Sequence, residues 1–312
     1  MRTRMRRAAF LTVLLPVFCC LPAAAGGAWV PERGAGDVIF GYSNKTADTS
    51  WNPRGDTRYH SSLHDFRYLY QGGEVGLGRE LSFRYLVLFL DGYEGRPGDL
   101  EHNAGMSELY LGMKYRLRGG DWPMALGLDV RTSYLYDLPG PYDRHLFLAD
   151  EDDIDGDGDT EEAVFKGVSP EWRGLLGEDI GLSFLVSRLV FETGWLNLSA
   201  GYRYRTTNLA NEIPLFAELG YPLPWQALFL KGTLTWIESV GNDSPERQPN
   251  DRFGCSERNC FPDSSYAVLG ASLIRHFGGR AQWWWEAGFN QWVWGRSARK
   301  YEEPFVSIGR RF

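Results

Sequence analysis

The feature that most limits what this chain can fold into is the rhythm of its connections. From Gly36 onward twelve stretches have strand character, roughly 36–46, 64–77, 81–93, 105–118, 122–136, 178–188, 193–206, 213–222, 226–240, 264–277, 281–295 and 302–312. Short joints such as Gly78-Arg79-Glu80 and Gly119-Gly120-Asp121 link every second pair. The intervening connections are mostly longer: 47–63, 94–104, 137–177, 207–212, 241–263 and 296–301. A transmembrane barrel has this rhythm, because its hairpins turn tightly on the periplasmic side and loop widely outside. A soluble sandwich has no reason to place its insertions on alternate connections. An even strand number lets the sheet close with both termini on one side, leaving no unpaired edge in lipid.

Within the stretches, residues alternate between two faces, as strands with a wet and a greasy side require. Leu109, Leu111, Met113, Tyr115 and Leu117 oppose Glu108, Tyr110, Gly112, Lys114 and Arg116. Met124, Leu126, Leu128 and Val130 oppose Ala125, Gly127, Asp129 and Arg131. Leu196, Leu198, Ala200, Tyr202 and Tyr204 oppose Asn197, Ser199, Gly201, Arg203 and Arg205. The expected fold class is therefore all-β: a single transmembrane antiparallel up-and-down β-barrel of about twelve strands, with short periplasmic turns and long extracellular loops. Mean hydropathy is −0.34, too polar for a bundle of membrane helices, and no stretch beyond the N-terminus approaches the roughly 20 apolar residues a spanning helix needs.

The N-terminus reads as an export signal. Arg2, Arg4, Arg6 and Arg7 precede the apolar run Ala8–Leu21, and Ala23-Ala24-Ala25 fits the small-residue cleavage rule. The expected division is residues 1–25 as signal peptide and 26–312 as barrel. Removing four arginines and no acids takes the formal net charge from −7 to −11, which disfavours nucleic acid as a partner. Beyond the signal two cysteines remain, Cys255 and Cys260. In an exported protein such a pair is expected to form a disulfide.

The last strand is YEEPFVSIGRRF, Tyr301–Phe312. Val306 and Ile308 share a side with Phe312, and Ser307, Gly309 and Arg311 share the other. A terminal strand ending in Phe resembles the assembly signal of bacterial outer-membrane barrels, with Arg310 departing from the usual apolar residue third from the end. More broadly, the start GAWVPERGAGDVIFGYSNKTADTSW, the hairpin GGEVGLGRELSFRYLV, and the pair SELYLGMKYRL and NLSAGYRYR resemble a group of roughly twelve-stranded outer-membrane barrels. Its members are described as transporters or as phenol-degradation-associated barrels. The resemblance implies a bacterial outer-membrane location. Outer-membrane lipid, the barrel assembly machinery and a small-molecule solute are the partners expected.

Aromatic residues cluster near the strand ends. Trp122, Trp195, Trp225, Trp283 and Trp285 lie near the short turns, and Tyr136, Trp292 and Trp294 near the long connections. That is the distribution expected of headgroup-depth belts.

Two constellations are candidates for chemistry. The first is the acidic loop DEDDIDGDGDTEE, Asp150–Glu162, in the longest connection. Asp153, Asp155 and Asp157, spaced by two and followed by Gly158, match the first half of a calcium loop, where alternate carboxylates converge on the ion. Asp159 and Glu161 add oxygens. Val164 stands where an EF-hand has its bidentate Glu, so the alternative is a solvated acidic loop. The second is the polar face of the strands. If the apolar faces meet lipid, the lumen receives Glu74, Arg84, Glu108, Lys114, Arg116, Asp129, Arg131, Arg203, Glu218, Lys231 and Glu286. Buried charges need partners, so these side chains either fill a closed barrel with ion pairs or line a hydrated pore.

No catalytic residue is assigned. His60, His64, His102, His145 and His276, with Ser61 and Ser62 between the first two, form no recognisable nucleophile elbow or metal-protease motif. The expected function is passage of small solutes through the lumen, as an outer-membrane channel or transporter and not an enzyme. The alternatives are a non-transporting structural or surface-binding barrel acting through its external loops, and a membrane-embedded hydrolase.

Overall fold

The computed structural model describes residues 27–51, 55–96, 99–132, 178–205, 211–225, 227–240, 264–279, 282–296 and 298–312. These form one antiparallel sheet that closes on itself. The strands are β1 (Gly36–Trp51), β2 (Thr57–Gly76), β3 (Leu81–Arg96), β4 (Asp99–Arg118), β5 (Met124–Thr132), β6 (Glu178–Val190), β7 (Gly194–Arg205), β8 (Asn211–Pro222), β9 (Leu228–Val240), β10 (Ser265–Phe277), β11 (Trp283–Arg296), β12 (Ala298–Arg299) and β13 (Glu302–Arg311). From β1 to β11 each pairs with its sequence neighbour, β11 pairs with β13, and β1 pairs with both β2 and β13 to close the ring. The two-residue β12 continues the line of β13 along β1, so the ring has twelve staves. Each of the twelve stretches read from alternation coincides with one stave.

Closure runs through the C-terminus. Ile308 faces Phe40 and Val306 faces Tyr42, and Gly36 and Phe312 exchange both backbone hydrogen bonds. Asp37 to Ser43 therefore have a partner on each side, as backbone in hydrocarbon requires.

The exterior is apolar. Leu69, Phe89, Leu128, Leu182, Leu230 and Val306 are among many large hydrophobic side chains left exposed by the sheet. The opposite faces carry the polar residues and the buried clusters. An outward apolar band around a polar interior is the solvent-inverted arrangement of a lipid-facing barrel. Arg310 sits on this outer face at the turn-side rim, its guanidinium carbon 5.2 Å from the centre of the Trp283 ring. There the aliphatic stem covers apolar surface while the charge reaches the interface, which accommodates the departure from an apolar residue at that position.

Two expectations need correction. The connections at 47–63 and 94–104 are mostly strand: β1 runs on to Trp51, β2 starts at Thr57, and only 97–98 separate β3 from β4. Strands β1–β4 have 16, 20, 16 and 20 residues, well beyond the roughly 9–11 that cross a bilayer. Past the lipid a strand no longer needs an apolar face, so alternation fades while pairing continues. The joint at 296–301 likewise contains β12. The connections 137–177 and 241–263, and all but two residues of 207–212, lie outside the described residues.

The second correction concerns aromatics. Trp122, Trp225 and Trp283 are exposed on the outside as expected of a belt, but Trp195 and Trp292 are buried inside. Their parity along the strand sets this. Trp195 shares the face of Asn197 and Arg203, and Trp284, not Trp283, is the inward member of its run.

Candidate functional site

The bore divides into two halves. At the short-turn end the residues before β1 enter the barrel. Gly34 and Ala35 hydrogen-bond the end of β2 at Gly76, and there a Cβ on Gly76 would meet the Glu32 carbonyl oxygen at 2.1 Å. Upstream, Gly27–Val30 lies among the interior side chains. Lys114 Nζ donates to the Gly27 carbonyl at 2.9 Å, the Ala28 N–H donates to Ser187 Oγ at 2.7 Å, and Arg116 donates to the Val30 carbonyl. Ala28 packs with Ala125 and Leu185, and Trp29 packs against the buried group Trp195, Phe229, Ile274 and Trp284. A backbone segment in a barrel core needs its polar groups answered, and these three interior side chains answer the Gly27 and Val30 carbonyls and the Ala28 N–H.

Polar groups around the segment are joined into networks. Lys114 is fully buried, with Nζ 2.8 Å from Glu74 Oε1, and Ser82 donates to the same carboxylate. Across the bore, Glu218 accepts from Trp195 Nε1 at 2.7 Å and Asn197 Nδ2 at 2.8 Å. Lys231 lies between Glu218 and Glu286, 3.8 Å from the first and at contact with the second. Each buried charge here has an opposite charge and further hydrogen bonds, the condition under which burial is tolerated.

Midway, Arg84 Nη2 is 3.5 Å from Asp129 and 3.2 Å from the Tyr110 hydroxyl. Beyond it the loop-side half opens into a cavity of about 130 Å³. Arg131 pairs with Glu108 there. Arg203 and Arg205 share Glu212, at 2.8 and 3.0 Å, and Arg205 also lies 3.5 Å from Asp179. An apolar collar covers one side, with Phe66, Tyr68, Leu90, Trp292 and Tyr301 buried together.

The structure thus places all eleven charged residues expected on the polar face on the interior side, and pairs most of them with one another. It brings Glu74 to Lys114, Arg84 to Asp129, Glu108 to Arg131, and Lys231 to Glu218 and Glu286. Arg116 holds the N-terminal segment, and Arg203 joins the cavity. Sequence reading missed Lys45, Asp179, Arg205, Glu212, Tyr266 and Arg299. Arg205 was within reach, sharing parity with Arg203. Glu212 was not, because the residues between β7 and β8 carry no signal for register.

Asp153, Asp155, Asp157, Asp159 and Glu161 lie outside the described residues, as do Cys255, Cys260, His145 and residues 1–25. Among the described residues no group of three acidic, His or Cys side chains is arranged for a metal. The remaining histidines do not converge. His102 is on the outside, bonded to Asp91 at 2.6 Å. His64 is buried near Phe66, and His276 is at the turn-side end beside Phe229 and Trp284. His60, Ser61 and Ser62 lie on β2, with side chains outside those described.

No protein-family model matches the chain, and no curated protein matches its sequence. Solved structures do match in fold. An outer membrane channel from Pseudomonas putida F1 aligns at 14% identity over 92% of this chain and 98% of its own, with a TM-score of 0.56. The translocator domain of the autotransporter NalP from Neisseria meningitidis aligns at 12% identity over 98% of this chain and 97% of its own, with a TM-score of 0.51. The fold is that of bacterial outer-membrane β-barrels.

Proposed function

We propose, starting from a closed outer-membrane barrel with an asymmetric bore, that this chain is a channel for small solutes restricted at its periplasmic end by Gly27–Val30. The observation that carries the reading is the asymmetry itself. The loop-side half holds a cavity lined by charged and aromatic side chains, whereas the turn-side half is occupied by a backbone segment that is not part of the wall. A purely structural barrel needs neither. Three side-chain hydrogen bonds and a few packed side chains hold the segment, so it can leave without breaking a ladder bond of any stave. Removal of residues 1–25 would leave Gly26 as the first residue, placing the free end of the segment inside the bore. The exterior meets outer-membrane lipid, and the strand ending in Phe312 is presented to the assembly machinery.

Planar-bilayer recording tests the reading. The chain starting at Gly26 should give small, interrupted conductance. A chain starting at Ala35 should conduct several-fold more. Silence from both, in barrels shown to be folded by their faster migration before boiling, would overturn the channel and leave a structural or surface-binding barrel.

A further inference from the structure

One row of paired residues links the two halves of the bore. Glu74 pairs with Arg84, Arg84 with Gly112, Gly112 with Asp129, Asp129 with Gly181, Gly181 with Arg203, and Arg203 with Glu212. The row crosses β2 to β8 in order, on the inward face throughout. Hydrogen bonds in an antiparallel sheet run perpendicular to the strands, and barrel strands tilt by roughly 35–45°, so such a row climbs along the axis. This one starts in the turn-side network, where Glu74 meets Lys114, and ends in the loop-side cavity, which Arg203 and Glu212 line. Every residue on it is either charged or glycine, and the charges alternate in sign from Glu74 to Glu212.

The glycines decide how the middle of the row packs. A Cβ on Gly181 would lie 2.3 Å from Asp129 Oδ2, so the Asp129 carboxylate occupies the space a side chain there would take. A Cβ on Gly127, two residues before Asp129 on β5, would lie 3.2 Å from Arg84 Nη2. Gly112 stands between Arg84 and Asp129 in the row and puts no side chain between them. Arg84 and Asp129 therefore lie along the β4–β6 wall instead of reaching across the bore.

This pair is held more loosely than its turn-side counterpart. Arg84 Nη2 is 3.5 Å from Asp129 Oδ1, against 2.8 Å between Lys114 and Glu74. The Arg84 and Asp129 side chains keep 20% and 13% of their exposure, where Lys114 keeps 1%. Opposite charges at one level of a bore largely cancel for a passing ion. Removing either leaves the other to act alone on whatever passes.

We infer that this row is the solute path between the two halves of the bore, and that Arg84 and Asp129 together set its charge preference. The inference rests on the channel reading and deepens it by naming the residues that select. With both side chains present the path favours neither sign. With one absent it favours ions opposite in sign to the survivor.

Reversal potentials across planar bilayers in a potassium chloride gradient test it, on the chain starting at Gly26. The wild-type ratio of potassium to chloride permeability should be roughly one. Arg84→Gln should raise it and Asp129→Asn should lower it, each by roughly threefold. The double variant should return it toward the wild-type value. Gly181→Val should push the Asp129 carboxylate off the wall and lower conductance several-fold. Gly232→Val, at a position where an added Cβ meets nothing within 4 Å, should not. A strongly selective wild type, or single variants that conduct with unchanged reversal potential, would overturn the inference and keep the channel; the wild-type measurement needs no variant to fold. Silence from folded barrels would remove the channel and this path with it.

Discussion

The turn-side and loop-side halves of the bore use the same kinds of residue to opposite effect. In the first, Lys114 is buried against Glu74 and Lys231 between Glu218 and Glu286, and Asn197, Ser187 and Trp195 fill the gaps. A peptide segment completes the packing. In the second, Arg203 and Arg205 share one glutamate around a cavity. The difference teaches that inward charge does not by itself mean a pore. What matters is whether chain backbone occupies the remaining space.

If that contrast is right, the largest effect comes from breaking the filled half. Lys114→Met strands Glu74 and removes the donor to Gly27. It should cost about 3–5 kcal/mol, the range for orphaning one partner of a buried pair, read as a lower urea midpoint for unfolding in lipid. Adding Glu74→Leu should recover most of the loss, because the uncompensated charge goes with it. A double variant as unstable as the single one would mean that the pair itself stabilises the barrel.

Gly27→Val should act on the segment more than on the wall. A Cβ there would meet Asn197 Oδ1 at 2.0 Å and Ser187 Oγ at 2.2 Å. The expected cost is about 1–3 kcal/mol of overpacking, accompanied by higher conductance as the segment is displaced. Unchanged conductance would place the restriction elsewhere.

The smallest effect should come from the loop-side half. Arg203→Gln leaves Arg205 on Glu212, so stability should fall by about 1 kcal/mol, less than for Lys114→Met. An equal or larger loss would show that the two halves are not energetically distinct.

Much of the fold was legible because lipid imposes period-two alternation, and tight turns with Gly78, Gly119 and Gly120 punctuate it. Strand length was legible only as far as lipid extends. At 57–63 and 99–104 the chain pairs without an apolar face, so β2 and β4 are longer than their patterns. The interior face was legible by parity, and so were the charges on it. Their partners were not: Glu74 and Lys114 lie on strands joined through β3, and which rows meet depends on register and stagger. The Gly27-Ala28-Trp29-Val30 stretch was the least legible. It is short and has no period, and its place is set by side chains such as Ser187 and Lys114 far along the chain.

The most direct measurement is a cross-link between the segment and the wall. Ala28 packs against Ala125, so Ala28→Cys with Ala125→Cys, in a Cys255→Ser, Cys260→Ser background, brings two thiols together if the segment occupies the bore. The account predicts that mild oxidation joins positions 28 and 125, located by peptide mass, and that conductance stays low until reductant is added, then rises in bursts. Thiols that stay unlinked and both react freely with a bulk-phase maleimide would contradict it.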